Sequence, residues 1–235
     1  MSESNPPRGD RSERTLSLIT RARATRGFMP DDEGEALLDA ALRAGTSRDS
    51  LEEIGGQTTG RRRCFVEIGA WCGKSTIYLG AAGELSGAVV FSVDHHHGSE
   101  ENQRGWEHHE EDLVDPHTQQ LETLFNWRRS IEDTRLSDVV IGVIGDSVTI
   151  AKFWNTPIDL CFIDGGHGEE PAWADFKSWG PHVRPGGWLA IHDVFLDPRD
   201  GGRPPFDIWC AALESGDWIE DGECGSLRVL RRRTT

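Results

Sequence analysis

Residues 158–195 read IDLCFIDGGHGEEPAWADFKSWGPHVRPGGWLAIHDVF, and this stretch decides the fold. It holds two short apolar runs, 160–163 and 188–191. Each ends abruptly in polar residues: Asp164 and His167 after the first, His192 and Asp193 after the second. Between them, residues 171–179 predict a helix. Pro171 suits its first position, Glu169 and Glu170 complement its amino end, and Gly180 stops it. Arg184-Pro185-Gly186-Gly187 reads as the turn into the second run. Strand, helix and strand make one βαβ unit, with parallel strands and a ligand crevice beyond their carboxyl ends. The four polar residues are expected to converge there, where two carboxylates and two imidazoles suit a divalent cation with a nearby base. Any one of them alone is more simply a cap or turn residue; their pairing on two apolar strands favours a site.

The same pattern extends outward. Residues 64–68 predict a strand running into Gly69-Ala70-Trp71-Cys72-Gly73-Lys74-Ser75-Thr76, a glycine-bearing turn that opens a helix through Ala82. A second strand, 89–93, ends in Asp94. A third, 139–144, ends in Gly145-Asp146-Ser147, with a helix over 148–154. A helix over 207–214 and a closing hairpin, 218–220 with 227–230, complete a doubly wound α/β sheet with an antiparallel element at its end. Residues 1–14 are polar and expected to be disordered. Residues 15–60 are expected to form a helical cover, with Pro30-Asp31-Asp32 starting a helix, and 61–235 the ligand-binding domain.

The chain has 235 residues and a formal net charge of -15, which excludes a nucleic acid or anionic membrane partner, since either needs a basic patch. The short runs Arg61–Arg63 and Arg231–Arg233 read as solvated strand flanks. Five scattered cysteines, no two of them at CxxC spacing, read as small buried hydrophobes in a reducing compartment. The amino terminus is polar and no apolar run approaches a membrane span, so a cytoplasmic protein is expected. Trp127, Trp154 and Trp209 leave room for an apolar interface in a homo-oligomer.

Glycines between a strand and a helix let a ligand approach the backbone, and the helix amino end favours anionic groups. The spacing Gly69 then Gly73 matches neither G-x-G-x-x-G nor the phosphate loop. Asp94 closes its strand where a carboxylate accepts from ribose hydroxyls, in nicotinamide and adenosyl sites alike.

The segments 67–76, Asp94, Gly145-Asp146-Ser147 and Ile163-Asp164-Gly165-Gly166-His167 resemble, in order, the motifs of class I S-adenosylmethionine-dependent methyltransferases. Within that Rossmann-like fold the chain is similar to metal-dependent O-methyltransferases. The run 94–103 further resembles an actinobacterial group that includes a mycobacterial methylmannose-polysaccharide 1-O-methyltransferase. The resemblance implies that Glu67, Gly69, Gly73 and Ser75 lie along the methionine part of the cofactor, that Asp94 holds the ribose, and that Asp146 and Ser147 sit by the adenine. It implies magnesium or manganese on Asp164 and Asp193, with His192 where the family usually has a carboxylate, and His167 as general base. The acceptor it implies is a small molecule, a saccharide foremost.

That chemistry explains the residue types. A metal-bound hydroxyl loses its proton far more readily, as water on zinc falls from ~15.7 to ~7, and an imidazole with pKa near ~6.5 takes that proton at neutral pH. Residues 94–117 carry six histidines among acidic residues and read as a solvated loop, a substrate lid with Trp106 stacking on the acceptor, or an oligomer contact. Residues 198–205, with Arg199 and Arg203, are a second substrate-loop candidate. Asp175 reads as a surface or supporting residue, and Trp173, Phe176 and Trp179 as core. A phenolic acceptor is the nearest alternative. A nicotinamide oxidoreductase lacks its fingerprint here, and a non-catalytic binding protein has no need of Asp164, His167 and Asp193 together.

Overall fold

Side chains alternate across a strand, so each central strand feeds two cores. The computed structural model describes residues 11–47, 53–54, 57–58, 61–106, 108–166 and 168–234. Its main sheet has seven strands: β1 (Cys64–Ile68), β2 (Val89–Asp94), β3 (Val140–Ile144), β4 (Ile158–Ile163), β5 (Val183–Ile191), β6 (Trp218–Cys224) and β7 (Leu227–Arg232). Their spatial order is β3-β2-β1-β4-β5-β7-β6. The first five run parallel, and β7 pairs antiparallel with both β5 and β6. The order reverses between β1 and β4, which puts the ligand crevice at their carboxyl ends.

Phe65, Leu160, Phe162, Trp188 and Ala190 face one core with helices α1 (Glu13–Ala24), α2 (Asp31–Thr46), α3 (Lys74–Ser86) and α4 (Leu124–Thr134). Val66, Ile68, Cys161, Ile163, Leu189 and Ile191 face the other, with α5 (Ser147–Ala151), α6 (Glu169–Trp179) and α7 (Pro204–Glu214). The expected α/β sheet with its terminal antiparallel hairpin is present. Trp179 is fully buried, with Trp173 and Phe176 packed beside it. Among the described residues no helix is long and apolar enough to cross a membrane.

Several local expectations are corrected. α1 begins at Glu13, capped by Ser12, so its start precedes the expected boundary at residue 15; residues 1–10 lie outside the described residues. Arg184–Gly187 do not form a free turn but an irregularity inside β5, because Ile158 pairs with Val183 and Leu160 with Trp188. Asp159 lies opposite, fully buried, and draws Arg184 Nε to 2.7 Å, Arg61 to 2.9 Å and the Cys64 N–H to 2.9 Å. Arg63 adds a contact at 3.6 Å, so Arg61 and Arg63 pair with a buried carboxylate, while Arg61 and Arg62 stay exposed as the solvated-flank reading expects. Arg231 lies 4.8 Å over the Trp188 ring.

Helix α4 falls in a stretch to which the sequence reading assigns no element; the spacing of Leu124, Trp127 and Ile131 marks it. Trp127 is buried in that helix and donates from Nε1 to Thr76 Oγ1 at 3.2 Å, so it offers no interface. The histidine-rich insert is largely exposed, with His95, His97, His108 and His117 at the surface, but it is pinned by His96, Asn102 and Leu113, which are buried. His96 Nδ1 meets Thr123 Oγ1 at 2.8 Å, and the Asn102 Oδ1 accepts from Ser99 N at 2.8 Å.

Candidate active site

The ladder of the sheet continues one residue beyond each central strand and so fixes the residues that follow. Gly69 N donates to Val93 O, Asp164 N to Ile68 O, His192 N to Ile163 O and Gly145 N to Asp94 O, at 2.9–3.1 Å. Beyond these anchors lies a cavity of about 900 Å³, within the range that small-molecule sites occupy.

One side of the cavity is the glycine turn. Gly69 has φ +85°, and a Cβ there would stand 2.1 Å from the Asp164 carbonyl oxygen, so only glycine lets the β1 and β4 ends approach. Asp94 Oδ2 accepts from the Ala70 and Trp71 N–H groups at 2.8 and 2.9 Å, and Oδ1 from His96 N at 2.7 Å. It thus pins the turn while lining the cavity. Ser75, Asp146 and Ser147 also line it.

Glu67 and Gly73 do not line the cavity. Glu67 points to the α3 side of the sheet, where Thr76 and Ser92 hydroxyls donate to its Oε2 at 2.6 Å. Burial pushes its carboxyl up to about 7 against hydrogen bonds from Ser75, Ser92 and Thr76. Gly73 has φ +95° and caps α3, a conformation that favours glycine, and lies against Trp127 and Ser130.

Asp175 is no surface residue. It is buried on α6, lines the cavity, and accepts from the Ser147 hydroxyl. Burial pushes its carboxyl up to about 6; Ser147 opposes the shift, and Asp146 and Asp94 add to it.

At the other side Asp164, His192 and Asp193 come together, each offering one ligand atom within 4.8 Å of the others. His192 Nδ1 lies 3.0 Å from Asp164 Oδ1 and 3.3 Å from Asp193 Oδ2. Its Nε2 lies 2.6 Å from Glu33 Oε2 on α2. Burial lowers the imidazole pKa, but the carboxylates of Asp164, Asp193 and Glu33 outweigh it and hold it well above its ordinary value. Asp193 has φ +56°, a left-handed conformation that aspartate tolerates better than most side chains. His167 lies outside the described residues.

The aromatic wall of the cavity was not legible as such. Phe28, between α1 and α2, stands 5.5 Å from the Trp71 ring and 5.1 Å from His108, and all three line the cavity. Trp106, the expected stacking residue, does not. Asp200, Gly201 and Gly202 of the second loop line it, whereas Arg199 pairs with Asp197 and Arg203 lies over Phe206.

A family model described as a methyltransferase domain matches residues 66–194, a span that holds the glycine turn, Asp94 and Asp164, His192 and Asp193. The chain belongs to that methyltransferase family. Its fold is the class I methyltransferase fold, shared with an SAH-bound Podospora anserina methyltransferase at TM-score 0.61 and 11% identity, covering 95% of this chain and 89% of that one. A TDP-rhamnose 3′-O-methyltransferase of calicheamicin biosynthesis aligns at TM-score 0.58 and 14% identity, covering 98% and 96%.

Proposed function

We propose that this methyltransferase moves a methyl group from S-adenosylmethionine to a hydroxyl of a small molecule with the help of a divalent metal. One observation carries the reading: Asp164, His192 and Asp193 converge in the cavity that the glycine turn, Asp94 and Ser147 also line. The donor set fits a metal, since two carboxylates with one imidazole suit manganese, and magnesium less well. The cavity fits the cofactor, since Gly69 leaves the backbone open to a ligand and Asp94 ends β2 beside it.

Asp164, His192 Nδ1 and Asp193 would hold the metal, which when bound lowers the pKa of an acceptor hydroxyl and fixes its position. Gly69, Ser75 and Asp94 would bind the cofactor, with Asp146 and Ser147 by its adenine. Asp94 keeps the turn in place through the Ala70 and Trp71 amides. Glu67 and Gly73 act behind the turn. His167, whose chain neighbours Gly166 and Gly168 line the cavity, would take the hydroxyl proton. The acceptor is a saccharide, which the likeness of residues 94–103 to a sugar-methylating group supports. The aromatic wall of Phe28, Trp71 and His108 favours a second reading, a phenol stacked on it.

Titration of metal-free protein with S-adenosylmethionine, NADH and Mn²⁺ tests the proposal. S-adenosylmethionine and Mn²⁺ bind the wild type, while Asp164→Ala and Asp193→Ala each lose Mn²⁺ and keep the cofactor. Binding of NADH alone overturns methyl transfer; Mn²⁺ binding unchanged in both variants overturns the metal assignment.

A further inference from the structure

Glu33 stands in the first turn of α2, 159 positions before His192 in the chain, yet its carboxylate is buried against that ring. The geometry points to Glu33 as the positioning residue that fixes the His192 imidazole for metal ligation. The inference rests on the metal reading above.

Every group around this carboxylate donates to it. Oε1 accepts from Ser226 N at 2.7 Å, and Oε2 accepts from Ser226 Oγ at 3.0 Å and faces His192 Nε2 at 2.6 Å. A carboxylate that is ionised can only accept. Placed 2.6 Å from that acceptor, Nε2 is the ring nitrogen positioned to donate, and Nδ1 faces Asp164 and Asp193. A ligating histidine generally donates its other N–H to a carboxylate or carbonyl, which sets tautomer and ring orientation together.

The backbone is shaped for the contact. Gly225, in the turn between β6 and β7, has φ +52°, and a Cβ there would meet Glu33 Oε1 at 2.1 Å. The carboxylate is thus clasped by α2, the end of β5 and the β6–β7 turn. The N-terminal cover is not a passive lid: the site is complete only when α2 is docked.

Glu33→Gln separates positioning from packing. Ser226 N–H can only donate, so the new amide must turn its oxygen toward Ser226, and its NH₂ group then faces Nε2. The imidazole is driven to carry its proton on Nδ1, where a metal would bind. Mn²⁺ affinity, measured by titration calorimetry, is expected to fall about 10–100-fold, with S-adenosylhomocysteine affinity within about two-fold of wild type because Glu33 does not line the cavity. Long-range ¹H–¹⁵N spectra should place the proton of His192 on Nε2 in the wild type loaded with diamagnetic Zn²⁺, and on Nδ1 in metal-free Glu33→Gln.

Equal Mn²⁺ affinity in wild type and Glu33→Gln, with binding lost in Asp164→Ala, overturns the positioning role and leaves the metal reading standing. A wild type that takes no Mn²⁺ overturns both. Should Glu33→Gln fail to fold, the wild-type spectrum decides alone, since a proton on Nδ1 in the Zn²⁺-loaded chain overturns the assignment.

Discussion

Asp175 shows how a single side chain sets a pH dependence. Its carboxyl lies at about 6 in the fold, against 3.8 for an ordinary aspartate, chiefly through burial. A raised carboxyl binds a proton in the folded chain that the unfolded chain has already released, so its contribution to stability falls as pH climbs from about 4 to about 6 and is level above that. Each pKa unit is worth ~1.4 kcal/mol, which bounds the cost of the ionised group near neutrality at about 3 kcal/mol. Asp175→Asn keeps an acceptor for the Ser147 hydroxyl and removes that cost. The variant is expected to gain about 1–3 kcal/mol at pH 7 and nothing at pH 4, measured by urea unfolding at both values. A gain of equal size at both would show that the charge is not what burial opposes. No pattern signals this, because Asp175 occupies an amphipathic helix where an acid usually faces solvent; it reaches inward through the gap left by Gly165, whose absent Cβ would meet its Oδ2 at 2.7 Å.

At the scale of elements, the two ends of the sheet do different work. Asp159 on β4 sits at the end away from the cavity, where it ties β1 and β5 through Arg61, Arg184 and the Cys64 amide. Asp159→Ala would leave those cations and that amide without their acceptor, and breaking a buried pair costs about 3–5 kcal/mol. Chemical denaturation should show that loss, while S-adenosylhomocysteine affinity of the still-folded fraction stays at the wild-type level. A fall in affinity parallel to the fall in stability would mean that the two ends are coupled. This division also explains what was legible. Strands β1, β2 and β4 are apolar runs closed by Gly or Asp, and β5 is one closed by His192 and Asp193, so the parallel α/β units and the convergence of Asp164, His192 and Asp193 were legible in the pattern. Glu33 and Phe28 gave no such signal. Phe28 reaches the cavity and Glu33 reaches His192 from N-terminal segments whose packing depends on contacts far apart in the chain, and a glutamate in the first turn of a helix reads as a dipole partner. Glu67 has a plain motif, but the alternation of β1 turns its side chain to the α3 side, where Thr76 and Ser92 hold it.

Over the whole molecule the decisive quantity is charge. The chain carries a formal net charge of -15, and the described residues around the cavity include nine carboxylates against one lysine and one arginine. Neither cation is available to a ligand: Lys74 pairs with Asp31 at 3.0 Å, and Arg26 with Asp112 at 2.6 Å and Glu110 at 3.2 Å. Such a field attracts positive charge. S-adenosylmethionine carries a sulfonium that its demethylated product lacks, so the acidic cavity favours the substrate form of the cofactor over the product form. Screening weakens this preference, because the Debye length contracts from about 10 Å at 0.1 M salt to about 3 Å at 1 M. Partly exposed charge pairs are worth about 0.2–1 kcal/mol each, so the ratio of the two dissociation constants should shift about 1.4- to five-fold toward the product across that range. Calorimetric titration of both ligands at 0.1 and 1 M NaCl measures it. A ratio independent of salt would place the sulfonium out of reach of the carboxylates, and the cofactor would then owe its binding to the glycine turn and Asp94 rather than to the field of the chain.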